Sequence, residues 1–119
     1  MSFKELVVWR RSARLSADLY RHLVDLRDFG FRDQITPAGL SVPSNIAEGY
    51  GRGSTKETLR FRYYAKGSCA ELQTQLYIGM EIGYIDREIG RTWVAESEEL
   101  AAMLGALIKT KQHRLTPDP

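Results

Sequence analysis

Residues 42–57 read VPSNIAEGYGRGSTKE, with Gly49, Gly51 and Gly53 alternating around Tyr50 and Arg52. Two folds compete for this stretch. A phosphate-cradling loop would put a strand before it and make the chain an α/β nucleotide-binding enzyme. An elbow between two helices would make it all-α. The dinucleotide fingerprint is G-x-G-x-x-G between a strand and a helix. Here the spacing is G-x-G-x-G, and the residues before it read as helix. The phosphate-loop pattern G-x-x-x-x-G-K-[ST] is absent as well. The elbow accounts for each part: Gly49 ends one helix, Gly51 and Gly53 allow a turn, and Ser54 caps the next helix. One property survives the choice. Free N–H groups at a helix start attract anions, and Arg52 and Lys56 flank this one. A nucleic-acid phosphate fits there without catalytic machinery.

Downstream of the elbow the pattern is helical. Ser54 and Glu57 have capping-box spacing. Phe61, Ala65, Ser68, Leu72, Gln75, Gly79 and Ile82 then follow in steps of four and three, which predicts a coiled-coil-like seam. Several of its members are small, so a neighbouring backbone can come close. Gly83 fits the position just past a helix end. A last helix is expected from Asp86, a good N-cap with Glu88 in the first turn. Lys109, Lys111, His113 and Arg114 fall near its end, where cations suit the helix dipole.

Upstream, Ser2 and Glu5 form a second capping-box pair. Apolar or small residues recur at helical spacing from about Phe3 to about Phe29, with Gly30 as the expected stop. The segment from about Phe31 to Tyr50 is the least clear. Thr36-Pro37 looks like an N-cap and first-turn proline, yet Pro43 lies in the same segment, and an interior proline kinks a helix. A short, bent helix ending at Gly49 is the expectation. No run of alternating β-branched residues marks a strand. Four helices with short connections predict an all-α, antiparallel up-down four-helix bundle. A single domain over 1–115 and a disordered tail over 116–119 complete the reading.

Bulk composition fits that picture. The chain has 119 residues, with 43% hydrophobic and 27% charged side chains, as in ordinary globular domains. No apolar run reaches the roughly 18 residues of a membrane span, and no signal peptide opens the chain. The single Cys69 allows no internal disulfide. A cytoplasmic protein with no membrane partner is expected. Net charge is +2, unevenly placed: residues 1–66 carry twelve Lys+Arg against seven Asp+Glu, and residues 67–119 five against eight. That asymmetry suits either an anionic partner or helices that attract one another.

The residues offer little for catalysis. His22 and His113 are far apart, and neither completes the E-x-x-H of a di-iron bundle. Cys69 among small residues reads as a packed thiol. No Ser/His/Asp set assembles, so no catalytic residue, metal ligand or cofactor is assigned and the protein is expected not to be an enzyme. Ser44, Asn45 and Glu48, with Glu71 and Gln75, are expected to form a polar network across a helix interface that fixes its register. Basic residues interleave with aromatics at Trp9-Arg10-Arg11 with Arg14, and at Arg60-Phe61-Arg62-Tyr63-Tyr64 with Lys66. Arginines contact phosphates and aromatics stack on bases. Arg10, Arg11, Arg14, Arg21, Arg52, Lys56, Arg60 and Arg62 are therefore the candidate nucleic-acid-binding residues. A solvated, non-binding face is the alternative.

The blocks SVPSNIAEGYGRGSTKE (Ser41–Glu57), RFRYYAKGSCAELQTQL (Arg60–Leu76) and IGYID (Ile82–Asp86) resemble the four-helix-bundle family encoded in bacterial 23S ribosomal RNA intervening sequences. Related sequences include the accessory variability protein of diversity-generating retroelements. The resemblance implies an antiparallel four-helix bundle assembled as a homopentamer, with no established enzymatic activity. It suggests binding of RNA or DNA, because the retroelement relatives bind RNA and a reverse transcriptase. The stretch Asp28–Arg32 is shorter than the family's. At Gln34-Ile-Thr-Pro-Ala38 two arginines usual in the family are missing. If that pair touches nucleic acid in relatives, binding here is weaker or absent. Two functions follow as expectations: a non-catalytic oligomer binding nucleic acid through basic surfaces, or a protein–protein scaffold.

Overall fold

The computed structural model describes residues 2–115, with side chains to residue 112. The expected tail over 116–119 lies outside the described residues. Four helices are seen: α1 (Val7–His22), α2 (Phe29–Tyr50), α3 (Thr55–Glu81) and α4 (Arg87–Leu115), preceded by a 3-10 turn at Phe3–Glu5. No strand occurs among the described residues, and none leads into Gly49. None of the helices is long and apolar enough to cross a membrane.

The pairings run in opposite directions at every interface. Along α2 and α3, Gln34 meets Gln75, Ser41 meets Ser68, and Gly49 lies beside Thr58 and Phe61. Along α3 and α4, Met80 lies beside Gly90 while Tyr63 meets Gln112. Arg11 meets Glu96 and Glu99, and His22 meets Trp93, so α1 and α4 close the bundle. The molecule is an antiparallel up-down four-helix bundle, 54 × 24 × 22 Å. Leu19, Ile35, Leu72, Leu76, Leu100 and Leu104 fill its centre.

Local hydrogen bonds explain where most helices start and stop. Ser54 accepts the N–H of Glu57 at 3.2 Å and opens α3. Its end is a Schellman motif: Gly83 donates to Met80 O, Tyr84 donates to Gly79 O, and Gly83 takes φ +81°. Asp86 accepts the N–H groups of Glu88 and Ile89 to open α4. Asp28 opens α2 by accepting the N–H of Phe31 at 3.1 Å. Its carboxyl is held below its ordinary pKa by that backbone bond and by the Tyr84 hydroxyl, a contact that joins two loops at one end of the bundle.

Three expectations change. The first helix does not run from Phe3 to Phe29. Ser2 caps only the 3-10 turn, Leu6 is extended (ψ 126°), and α1 stops at His22. Asp28 then competes as the cap of the next helix, and Gly30 falls inside that helix. Second, α2 is not short: its 22 residues hold both Pro37 and Pro43. An interior proline costs about 3 kcal/mol or more. Full burial of Ile35, Val42 and Ile46, at about 1.5–3 kcal/mol each, is of the same size. A continuous helix presents all three to the core.

Third, the α3 seam is rotated. Ala65, Leu72 and Gly79 are buried as expected, but Cys69 and Leu76 alternate with them. Phe61, Ser68 and Gln75 sit half-buried, Ser68 and Gln75 bonded to α2, and Ile82 is exposed. The elbow is also simpler than expected. Neither Gly51 nor Gly53 has positive φ, and a Cβ on Gly53 would meet nothing. Gly49 is the one that matters: a Cβ there would stand 2.9 Å from Phe61 Cβ and 3.2 Å from Thr58 O.

Candidate nucleic-acid interface

The arginines of α1, all candidate phosphate contacts by sequence, have different surroundings. Arg10 donates to the carbonyls of Lys4 (3.3 Å) and Glu5 (2.8 Å), tying down the 3-10 turn. Arg11 turns toward α4, where its Nε donates to Glu96 at 2.9 Å, its Nη2 donates to both Glu96 and Glu99, and its Nη1 points to the Met103 sulfur at 3.8 Å. Hydrogen bonds to Glu96 and then Glu99 raise the guanidinium pKa, and Arg11 in turn lowers that of Glu96. Arg14 lies exposed at the edge of this groove, and Arg21 is exposed beside Asp18 at 3.2 Å. Charge reversal at Arg11 would therefore cut the tie between α1 and α4.

The second cluster is different. Arg52 and Arg60 both lie over the Phe61 ring, at 4.7 and 5.1 Å from its centroid, and Arg60 also lies 6.0 Å from that of Tyr64. Phe61 and Tyr64 meet edge-to-face at 5.7 Å. Arg52 pairs with Glu48, and Arg60 with Glu57 at 2.7 Å. Both are exposed local pairs, the first from the elbow back to the end of α2 and the second within the first turns of α3, of the kind that contributes little to stability. Lys56 is exposed one turn before Arg60. Arg62 is half-buried and donates to Leu107 O at 3.2 Å, which binds this part of α3 to the end of α4.

That junction brings in residues the sequence did not single out together. Lys66 and Lys109 line one open groove of about 460 Å³ with Tyr63 and Gln112. The Gln112 amide donates to the Tyr63 hydroxyl at 2.7 Å. By sequence alone, Lys109 is only a helix-end cation. Its place beside Lys66 follows from how α4 folds back on α3, for which no short-range signal exists. Taken together, residues 52–66 and 105–112 carry seven Lys+Arg against one Asp+Glu, while the other ninety-six residues carry ten against fourteen. The excess positive charge is gathered at one end of the α3/α4 face.

The expected polar network is only partly continuous. Asn45 donates to the Ser41 carbonyl and hydroxyl (2.8 and 2.9 Å), and Ser68 donates to Ser41 at 2.9 Å. Gln75 donates to Gln34 O at 3.3 Å and lies near Glu71 at 3.5 Å. Glu48 instead pairs with Arg52, and Ser44 is exposed, facing the groove between α1 and α2. Ser41 and Ser68 are the members that sequence reading missed. Cys69 is fully buried, and burial pushes its thiol up to about 11, so the thiol is protonated at neutral pH. Among the described residues no three His, Cys, Asp or Glu side chains converge to hold a metal.

Comparison with known proteins places this geometry. The family model described as 23S rRNA-intervening sequence protein matches residues 4–106. A crystal structure of a protein of unknown function from the S23 ribosomal protein family of Bacteroides thetaiotaomicron VPI-5482 superposes with a TM-score of 0.82. It is 25% identical, and the match covers 87% of this chain and 99% of that one. No curated protein matches.

Proposed function

The chain belongs to the 23S rRNA-intervening sequence protein family, and from that premise we propose that it is a non-catalytic, oligomeric bundle that binds RNA or DNA through the basic end of α3 and α4. The observation that carries this reading is the concentration of seven cations against one anion in residues 52–66 and 105–112, two segments that the fold makes neighbours. Lys56, Lys66 and Lys109 pair with no carboxylate among the described residues and stand ready for phosphates. Arg52, Arg60 and Arg62 add charge while holding the surrounding side chains. Arg10 and Arg11 act within the fold, and Arg14 and Arg21 are secondary contacts. The protein works in the cytoplasm in this reading.

Binding of this kind releases counterions, so affinity falls as salt rises. For single strands the slope of log K against log salt is about −0.7 per phosphate neutralised. Three lysines reaching phosphates give a slope of about −2 per chain on that scale. The test measures affinity for mixed-sequence RNA and DNA across a salt series, for the protein and for its K56Q/K66Q/K109Q variant. The slope is expected to become shallower by about 2 in the variant, the share of the three lysines. A flat salt response in the unmodified protein rejects the reading.

Assembly is the second component. Residues 67–86 contain no Lys or Arg, and Tyr77, Ile78 and Ile82 are exposed there. We propose that this half of α3 meets a second copy of the chain, in a homopentamer as the resemblance implies. A foreign protein on the same face is the scaffold alternative, favoured if a nuclease-treated pull-down still recovers one stoichiometric partner.

A further inference from the structure

Resting on the nucleic-acid reading above, we propose that the basic end of α3 takes single-stranded rather than duplex nucleic acid, with Tyr63 and Tyr64 stacking on bases. The starting point is a pair of rings the core does not use. Tyr63 and Tyr64 are 48% and 50% exposed, in the most cationic part of the chain. They lie three and four residues after Arg60, and Arg60 lies four after Lys56, so the four share the outer side of the helix. Each ring is fixed by one contact and open beyond it. Tyr63 is held by Gln112 through its hydroxyl at the edge of the groove with Lys66 and Lys109. Tyr64 is held edge-to-face against Phe61, under Arg60.

This arrangement matches what a single strand offers. A duplex hides its base faces in the stack, and helices read it through groove edges with amides and arginines. Here the nearest amide, Gln112, is committed to Tyr63, and Arg52 and Arg60 already lie on a ring and a carboxylate. What remains outward is two half-exposed rings, Tyr64 with Arg60 over one face, beside Lys56 and Lys66, with Lys109 behind. A single strand can splay bases onto such rings while its phosphates meet the lysines, without sequence preference. Neither ring nor lysine reads a 2′-hydroxyl, so RNA and DNA strands are equivalent ligands.

The experiment uses the full chain and labelled oligonucleotides of one length at one ionic strength. The probes are a mixed-sequence RNA strand, the same sequence as DNA, its blunt duplex, and a strand of abasic sites with equal charge. The RNA and DNA strands should bind alike and at least about tenfold more tightly than the abasic strand or the duplex, since stacking is of that order per base. In the Y63L/Y64L variant the base-bearing strands should fall to the abasic level, with abasic and duplex binding unchanged. Y64W should strengthen the base-bearing strands alone, a check that does not depend on removing a side chain. Equal affinity for abasic and base-bearing strands, a preference for duplex, or a strict demand for RNA overturns the inference and leaves backbone binding standing. No binding to any probe overturns both.

Discussion

Individual side chains in this bundle fall into those the fold has satisfied and a few it has not. Ser97 is fully buried on α4, and its hydroxyl has no hydrogen-bond partner among the described residues. A buried, unpaired hydroxyl costs on the order of 1–3 kcal/mol. Ser97→Ala removes that cost and little volume, so the variant should be as stable as the parent or more stable by up to about 1 kcal/mol. Urea denaturation followed by circular dichroism decides it; a clear loss of stability would mean that the hydroxyl has a partner after all. Gly49 gives the opposite sign. Alanine in a helix is favoured over glycine by about 1 kcal/mol. At Gly49, however, the new Cβ would press on Phe61 Cβ and on the Thr58 carbonyl, atoms close to the backbone that cannot swing away. Gly49→Ala should destabilise by about 1–3 kcal/mol, the usual size of overpacking. Equal midpoints for Gly49→Ala and the parent would show that α2 and α3 are not in close contact at the elbow. Gly49 thus has a packing role, whereas the sequence assigned it only the end of a helix.

At the scale of elements, legibility tracked the range of the interaction. Ser54, Gly83 and Asp86 mark helix limits through bonds to backbone atoms two to five residues away, and all three positions read correctly. The α2 helix did not, because its two prolines oppose the helix locally while its burial on two neighbours supports it. The break at Leu6 has no residue type that announces it. The candidate interface shows the same division. Arg52 and Lys56 at the helix start, and the basic–aromatic run from Arg60, are legible because each lies within a few residues of sequence. Arg11 reads from sequence as a candidate phosphate contact because its partners, Glu96 and Glu99, are more than eighty residues away. That pairing carries a pH dependence. Arg11 lowers the pKa of Glu96 below its usual 4.5, so the folded state binds this proton less readily than the unfolded chain. The stability it contributes is present above about pH 4.5 and is lost as pH falls through the lowered value. Arg11→Met keeps the apolar stem and removes the charge. Its stability should therefore differ most from the parent near neutral pH and converge with it in acid. Thermal midpoints across pH 3–7 make the comparison; a constant difference at every pH would remove the ion pair as the cause.

The whole molecule is a rod with two different halves along α3. The first three turns carry Lys56, Arg60, Arg62 and Lys66; from Gly67 to Asp86 no cation appears. In the proposed reading, this charge pattern would direct a nucleic-acid strand to the basic half and leave the other half for another copy of the chain. Exposed Tyr77, Ile78 and Ile82 there form an apolar surface of the sort that marks association sites. If assembly uses it, light scattering of the dilute protein reads about five times the 13.6 kDa chain mass. Ile78→Arg places a charge in the middle of that surface, at a side chain already half exposed. It should lower the mass to that of one chain while leaving the helical spectrum intact. The consequence for binding is indirect and larger than the local change. Basic ends held in one assembly raise each other's effective concentration on a long strand, and such avidity reaches roughly 10²–10⁴. A monomeric Ile78→Arg protein should therefore bind a long strand far more weakly, yet bind a strand short enough for one protomer as well as before. Equal loss on both lengths would place Ile78 in direct contact with the strand. A parent protein that is already monomeric, with full affinity for the long strand, would separate binding from assembly altogether.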